Sequence, residues 1–490
     1  MTLRGAGWMM CVASSAVLAG CPEPVRRADE VARFQAFGRS QAAGLGVKPD
    51  ETLSVARCEH VALANSLDLR VRQMSLGLQD DQVRLALTGA MPHANLGYAD
   101  STRSNENLGS FAGAPPAKMG DRHEKDLGIQ AVLPVLDFGL TYYSWQIAKD
   151  RRAQGQFLLT RAEQLLRRDV RVAYARHAGS LRQRKLAETA YAAGVKVLEV
   201  ARSLQQEKMT SRADTALIEA AVAQAALDVS LAKQRVEQTG MALAQLMSLP
   251  PGVKFRIEEG LASLPGAPDA ATARAFEDRA LRARPELAVQ DLERRASASS
   301  VLREAAGFFP RLDLTAGFNW TSSSLVVNPA FFTGGFLVSH ALLDGGATVI
   351  RTEQAKKASD IEKERALLLS LGILYEVELR VLAVRDAEAT VTAARAIERS
   401  RAVALERIVS LYQEGLEDVS GAARSLGELT IQATTLDRAQ TEYQAAWYEL
   451  EAAVLPERPV AGAASRPAGP RGTDMESRPA LPVFKQGTKP

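Results

Sequence analysis

The sequence contains few of the residues from which soluble enzymes and disulfide-linked secreted proteins are built. Aromatic residues make up 6% of the 490 residues, and there are only three cysteines and five histidines. Three cysteines cannot form a disulfide framework. The histidines show no metal-ligand spacing, and neither a glycine-rich phosphate loop nor a nucleophile elbow is present in the sequence. We therefore expect no enzyme activity, no metal site and no cofactor other than a covalent lipid.

The charge balance gives no reason to expect a polyanionic partner. The net charge is +3. A basic run from Arg161 to Lys185 could contact nucleic acid, but Glu163 and Asp169 interrupt it and Glu188 follows it. A solvated helix face explains such mixed charge better, and we predict no nucleic-acid binding.

The N-terminus predicts export and a lipid anchor. A short apolar run from about Trp8 to Ala19 is typical of a secretory signal and is too short to cross a membrane as a helix. It ends in Leu-Ala-Gly followed by Cys21, which resembles the lipobox of bacterial lipoproteins. This resemblance implies that Cys21 becomes the first residue and carries acyl chains. Pro22, where inner-membrane lipoproteins have aspartate, indicates the outer membrane. The alternative is an ordinary signal that happens to contain a cysteine.

Alternating polarity after Pro310 predicts a β-strand with one apolar face. Apolar residues at 312, 314, 316, 318 and 320 alternate with Asp313, Thr315, Gly317 and Asn319. A second strand is predicted from Gly335 to Leu343. Two further strands are predicted in the first half of the chain, one beginning at Asn95 and one over residues 127–133, around a surface loop at 100–124. Each pair has the pattern of a membrane-barrel hairpin.

The chain repeats itself, which indicates a duplicated architecture. Residues 62–69 resemble 280–287, and Met91-Pro92 resembles Phe309-Pro310, both at an offset of 218 residues. Beyond the hairpins the offset is 207, and it relates residues 136–139 to 343–346 and residues 203–207 to 410–414. The two halves therefore differ mainly in the length of the first hairpin loop.

These patterns predict an α+β membrane protein with six segments. Long helices fill most of both repeats, and the Pro- and Gly-containing stretches separate them. The predicted segments are a lipoprotein signal (1–20), an N-terminal tether (21–50), a first repeat (51–248, hairpin strands at about 92–137), a connector (249–271), a second repeat (272–455, hairpin strands at about 310–343) and a disordered tail (456–490).

Helix lengths predict an assembly of several chains. The predicted helices 139–207 and 347–413 are each about 100 Å long at 1.5 Å per residue, and each matches two shorter helices placed end to end. Helices of this length must bury their apolar stripes against one another. Four strands leave open sheet edges, which a bilayer does not tolerate. Two chains would close an eight-stranded, filled barrel, and three would close a twelve-stranded barrel with a wider lumen.

The order and spacing of these features resemble the TolC-like outer-membrane efflux proteins, and the lipobox resembles their lipid-anchored branch. The resemblance covers about residues 50–455. It rests on five stretches: 63–69, Arg284-Pro285-Glu286-Leu287, 309–314, 342–346 and Tyr412-Gln413-Glu414-Gly415. It implies a homotrimer with a twelve-stranded barrel in the outer membrane and a helical periplasmic tunnel. It also implies a periplasmic adaptor and an inner-membrane pump as partners, and hence a passive exit duct for efflux or type I secretion.

The resemblance also assigns roles to the two helix–turn–helix tips. These are expected at Lys208, Ser211 and Asp214 in the first repeat, and at Gly415, Asp418 and Gly421 in the second, and the resemblance implies that they contact the adaptor. The family often places two acidic residues in a constricting ring, at positions occupied here by Gly421 and Arg424. One hypothesis is that Arg424 lines the constriction and makes it less favourable to cations. The alternative is that Arg424 points outward and pairs with an acid such as Glu428.

Other interpretations of these residues stay open at this point. Asp137 and Asp344 occupy matching strand–helix junctions, where helix capping is a simpler role than a catalytic dyad. Trp320, Phe318 and Phe331-Phe332 are better explained as membrane-facing aromatics than as a ligand cage. The whole chain could instead be a lipid-anchored periplasmic coiled-coil adaptor or scaffold without a barrel. A secreted hydrolase would need a polar constellation that the sequence lacks.

Overall fold

The computed structural model describes residues 26–44, 51–105, 107–109, 115, 117–260, 263–340, 345–414 and 416–454. The predicted signal, Cys21, Asp344, Gly415 and the predicted tail lie outside these residues. In chain order the elements are α1 (Arg27–Gly44), β1 (Thr52–Leu53), α2 (Val55–Asn65), α3 (Leu67–Thr88), β2 (His93–Thr102), β3 (Asn107–Gly109), β4 (Ala117–Gly120), β5 (His123–Leu136), α4 (Leu140–Gln206), α5 (Arg212–Leu246), β6 (Arg256–Ile257), α6 (Ala270–Ala283), α7 (Pro285–Ala306), β7 (Arg311–Thr321), β8 (Ala330–Ser339), α8 (Gly345–Gln413) and α9 (Val419–Val454).

The two long helices are present as predicted. Helix α4 has 67 residues and α8 has 69, so each is about 100 Å long. The helix predicted from 51 to 90 is interrupted at Ser66, whose hydroxyl accepts a hydrogen bond from the Leu69 N–H at 3.3 Å and so caps α3. The same break occurs 218 residues later at Arg284, because the residue before a proline is driven to an extended conformation.

Each long helix packs against shorter helices in sequence, as the lengths predict. Helix α4 contacts α2 and α3 along one part of its length and α5 along another, and α8 contacts α6, α7 and α9 in the same way. Helix α4 also packs on α7 and α9 of the second repeat. The two repeats therefore share one helical body.

The core lies where the short helices meet end to end. In the first repeat it includes Leu53, Val170 and Leu243, and in the second it includes Val377 and Leu450, all almost fully buried. The Tyr174 hydroxyl lies 3.1 Å from the Leu53 carbonyl and 3.0 Å from the Glu258 carbonyl. It thereby joins the ends of β1 and β6, a short parallel ladder that the sequence analysis did not predict.

Charged pairs connect the repeats across this body. The Arg182 Nε donates to Asp437 at 2.5 Å, between α4 and α9. Asp150 on α4 is fully buried and is held by the Arg295 guanidinium of α7. Ionised groups remain stable inside a protein only when they are paired, so these contacts fix the mutual placement of the two halves.

Strands β2, β5, β7 and β8 form one antiparallel sheet in that order. Each predicted hairpin is present, and the β5–β7 pairing joins them. The predicted strand 335–343 is wrong by about five residues, because the alternation already begins after Pro329 and β8 ends at Ser339. The predicted loop 100–124 contains the small hairpin β3–β4. The segment predicted as a patternless tether contains helix α1, whose described side chains are largely exposed.

Replacing Arg295 with Met is expected to destabilise the protein by about 2 kcal/mol. The variant leaves the buried Asp150 carboxylate without its counter-ion, whereas the exposure of the Arg295 side chain limits the loss. Thermal unfolding of the detergent-solubilised protein, followed by far-UV circular dichroism, measures the change. Arg294→Met removes a neighbouring exposed arginine that pairs within its own helix, and it should leave the unfolding temperature almost unchanged. Equal unfolding temperatures for the two variants would contradict the role of Arg295 as the counter-ion of the buried Asp150.

His177 should make stability depend on pH. Its Nδ1 lies 3.0 Å from the Thr239 hydroxyl, and burial lowers the pKa of His177 from 6.5 to about 4. The unfolded chain therefore binds the additional proton between these pH values, and this contribution to stability is lost as the pH falls from about 6.5 to 4. As the pH falls across this window, the free energy of unfolding of the wild type should decrease by up to about 3 kcal/mol more than that of His177→Gln. His60→Gln, at an exposed position, should keep the wild-type slope.

Candidate functional site

The four-stranded sheet has one continuous apolar face. The strand register places Leu314, Ala316, Phe318 and Trp320 of β7 opposite Leu133, Ala131, Ile129 and Leu127 of β5. On the other side of β7, Phe318 pairs with Phe332, and the two rings lie 5.1 Å apart. Phe332 is 83% exposed, although it is a large apolar residue. Such a surface is stable next to lipid and costly next to water.

The opposite face is polar and uncharged over most of its height. It forms a shallow concavity lined mainly by amides, hydroxyls and glycines, namely Asn95, Gly97, Gly128, Gln130, Thr315, Gly317, Asn319 and Thr333, together with Ala316. The charged residues Glu124 and Asp126 lie towards one end of this face, and Asp313 lies towards the other. The sheet thus separates an apolar surface from a water-compatible one, as in a membrane barrel.

Aromatic side chains mark both ends of the apolar band. Tyr98 and Trp320 lie at the same level, because both are in register with Leu127. At the other end the rings of Phe138 and Phe309 stack with centroids 4.7 Å apart. From Leu312 to Trp320, β7 rises about 26 Å at 3.3 Å per residue, which matches the apolar band of an outer-membrane barrel.

The strand–helix junction of the first repeat is built by a capping carboxylate. The Asp137 side chain accepts hydrogen bonds from the N–H groups of Gly139 at 3.0 Å and Thr141 at 2.9 Å. It therefore satisfies donors at the start of α4, which confirms the capping interpretation for this residue. Its partner in the suggested dyad, Asp344, lies outside the described residues.

Both edges of the sheet are open in the protomer. Among the described strands, β2 pairs only with β5, and β8 pairs only with β7. The outer edges of β2 and β8 are each ten residues long and present backbone N–H and C=O groups with no partner in the sheet. Because lipid offers these groups no hydrogen bonds, the sheet must close with further strands in a bilayer.

The first helical tip is a tight turn between α4 and α5. Lys208 adopts φ +58°, the left-handed conformation that glycine adopts with the least strain, and the next N–H, of Met209, bonds back to the Leu204 carbonyl at 2.8 Å. The Ser211 hydroxyl accepts from the Asp214 N–H at 3.1 Å and donates to the Asp214 carboxylate at 2.6 Å. Ser211 is therefore the N-cap of α5.

The second tip repeats this geometry 207 residues later. The Leu416 N–H bonds to the Leu411 carbonyl at 2.9 Å, the counterpart of the Met209 bond. Asp418, the counterpart of Ser211, accepts from the Gly421 N–H at 2.6 Å and the Ser420 hydroxyl at 2.9 Å. These donors, together with the nearby charge of Arg424, lower the pKa of Asp418. Gly415 lies outside the described residues.

Arg424 is exposed on the first turns of α9. Its suggested partner, Glu428, instead accepts from the Arg401 guanidinium of α8 at 2.6 Å. Glu428 is therefore not the acid that pairs with Arg424. The charge of Arg424 stays on the tip surface, near Asp418.

The two tips lie at one end of the helical body. Ala201, Ile218 and Val419 form a small buried cluster that contains residues of α4, α5 and α9. Each tip exposes one large apolar side chain, since Met209 is 72% exposed and Leu416 is 71% exposed. Neither residue stands out in the sequence, although the 207-residue offset relates one to the other.

Helix α5 is long and apolar enough, by length and composition, to cross a membrane, and it is the one helix of the described chain that meets this test. Little of its apolar stretch is buried in the protomer. Leu217, Leu227, Leu231 and Met241 are all more than half exposed. Because α5 packs along α4 in the helical body, this surface can be covered by another helix instead of by lipid.

Comparisons with known proteins agree with this architecture. The family model described as "Outer membrane efflux protein" matches residues 277–454. No curated protein matches the sequence significantly. Among solved structures, CusC has 16% sequence identity and a TM-score of 0.69 over 82% of this chain and 91% of its own. The CmeC outer membrane channel of Campylobacter jejuni has 15% identity and a TM-score of 0.69 over 82% and 85% of the two chains.

A third similar structure is VceC, an outer membrane protein of Vibrio cholerae. It has 16% identity and a TM-score of 0.68 over 82% of this chain and 95% of its own. At these identities the similarity shows a common fold, in which both repeats take part. The family match lies in the second repeat, and the strands and tips of the first repeat reproduce that architecture. Residues 277–454 therefore match the outer membrane efflux protein family, and most of the chain shares the fold of these solved structures.

Proposed function

We propose that this protein is the outer-membrane exit duct of a tripartite efflux or type I secretion system. The observation that supports this function best is the sheet, which is apolar on one face, polar on the other and open at both edges. It continues directly into helices about 100 Å long. The duct is passive, and an inner-membrane pump supplies the energy.

The protomer closes its barrel with two further copies of itself. Three chains with four membrane strands each give twelve strands and a lumen, whereas two give a barrel that side chains fill. Closure pairs the edge of β8 with the edge of β2 in the next copy. The exposed apolar surfaces of α5 and α8, which include Leu231 and Leu371, would be buried between helices of the same assembly.

The tips are proposed to contact the periplasmic adaptor. Lys208, Ser211 and Asp214 shape the first tip, and Gly415, Asp418 and Gly421 are assigned to the second. Met209 and Leu416 add one exposed apolar side chain to each tip. Apolar residues within a polar rim are typical of protein interfaces, and a homotrimer would present six of them at the tunnel end.

Membrane attachment is proposed at two places. The barrel spans the outer membrane, and the helices extend into the periplasm. Acyl chains on Cys21 would add a second anchor, since each buried CH₂ contributes about 0.8 kcal/mol of membrane affinity. The barrel-free adaptor or scaffold is not favoured, because such a protein has no need for a sheet with a lipid-compatible face.

Two neighbouring residues of β7 test the barrel with opposite outcomes. Phe318→Arg places a charge on the apolar face and should cost about 2–4 kcal/mol in the bilayer, so heat-modifiable trimers should be largely lost from outer-membrane extracts. Asn319→Arg places the same charge on the polar face. It should leave trimers intact and shift the reversal potential in planar bilayers towards anions.

Gel mobility before and after boiling, with conductance of the purified protein, measures both effects. A wild-type protein that is monomeric and never conducts contradicts the proposed duct. If the two variants behave alike, the assignment of the faces is wrong.

Arg424→Asp tests whether this residue lines the entrance. A ring of three arginines repels cations, so the substitution should shift the reversal potential of single channels towards cation preference. Arg212→Asp makes the same charge change at the first tip, where residue 212 is also exposed. The control should cause a clearly smaller shift. Unchanged selectivity in Arg424→Asp, or an equal shift in both variants, rules out a constriction at Arg424.

A further inference from the structure

The two hairpin loops at the outer end of the sheet expose apolar side chains. In the loop between β7 and β8, Leu325 is 47% exposed, Val326 is 40% exposed and Val327 is 94% exposed. In the loop between β2 and β5, Leu108 on β3 and Met119 on β4 are 55% and 50% exposed. Both loops extend from the same end of the sheet, away from the helices.

Polar contacts tie the two loops of one protomer together. The Asp121 carboxylate accepts from the Ser324 N–H and, at 2.8 Å, from the Ser324 hydroxyl, and it pairs with Lys118. The Ser322 N–H donates to the Lys125 carbonyl at 2.8 Å. Lys118 and then Ser324 hold the pKa of Asp121 well below its usual range, so the carboxylate stays ionised at physiological pH. The loop roots therefore form one fixed block, from which the apolar side chains project.

These side chains lie beyond the lipid band. On the apolar face of the sheet, Lys125 pairs in register with Asp100, and their charged groups lie 3.9 Å apart. This pair lies two residues beyond the Leu127–Tyr98 pair, on the side away from the helices. Charged groups at this level mark the end of the apolar zone. The loops continue past it, so lipid chains are not available to cover Val327.

The strand order identifies what can cover them. Strand β8 begins at Ala330, with two residues between it and the apolar run, and β2 ends at Thr102, directly before the first loop. These two strands are the open edges of the sheet. When β8 of one copy pairs antiparallel with β2 of the next, the loop at 322–329 comes to lie beside the neighbour's loop that carries β3 and β4.

We infer that Leu325, Val326 and Val327 pack against Leu108 and Met119 of the adjacent copy and seal the outer rim of the barrel. This inference rests on the proposed trimer. Around the rim, polar ties within a protomer alternate with apolar contacts between protomers. The contacts between protomers therefore depend on burial of apolar surface, whereas the Asp121–Ser324 ties are charge-assisted hydrogen bonds.

Cysteine pairs test the contact in the full-length protein on intact cells. Val327→Cys is combined with Leu108→Cys in one variant and with Met119→Cys in another, and a short bis-maleimide is added. At least one pair should give covalent dimers and trimers on boiled gels. Native Cys58 should not react, because burial raises the pKa of its thiol to about 12. The three variants that each carry one added cysteine control for the native cysteines Cys21 and Cys58 and should stay monomeric after boiling.

Unboiled samples report on the trimer separately. Trimers in unboiled samples without covalent products from either pair would overturn the rim contact and leave the proposed duct standing. Covalent oligomers from Val327→Cys alone would also overturn it, because the three loops would then meet one another instead of the neighbouring hairpin. If unboiled samples contain only monomers, both the trimer and the rim contact are wrong.

Discussion

Backbone hydrogen bonding at the sheet edges is the constraint on which the rest of the structure depends. Strands β2 and β8 each present ten residues of backbone with one side unpaired. In water such edges can be solvated, but hydrocarbon provides no donors or acceptors. A sheet with an apolar outer face can therefore exist in a bilayer only as part of a closed ring. The need for several copies follows from this requirement, and a lumen follows when those copies supply more than eight strands.

The helical body continues directly from this sheet. Capping by Asp137 starts α4 directly after β5, so that the strand passes into a long helix without a flexible linker. The breaks at Ser66 and Arg284 divide the shorter helices at equivalent points, and the core lies at this level. Charged pairs such as that of Arg295 with the buried Asp150 then fix one repeat on the other.

Local patterns predicted the parts of the structure that depend on local physics. The alternation of polar and apolar residues located β7, and the repeat offsets located both tips. Both signals depend on residues that are close together in the sequence. Long-range pairings were not predicted. The β1–β6 ladder has only two residue pairs, and the Asp121–Ser324 tie spans about 200 residues of sequence, so neither leaves a periodic signal. The sequence also did not identify Arg401 as the partner of Glu428, because only tertiary packing brings α8 and α9 together.

The pairing of β5 with β7 has a consequence for how readily such a barrel comes apart. Because this ladder lies within one polypeptide, each subunit completes three ladders by itself and leaves only one to be shared with a neighbour. Dilution therefore disfavours only the ladders between subunits, which are a quarter of the ladders in the ring. The ladders within each subunit do not depend on subunit concentration. Dissociation should therefore release intact four-stranded sheets and not unfolded chains.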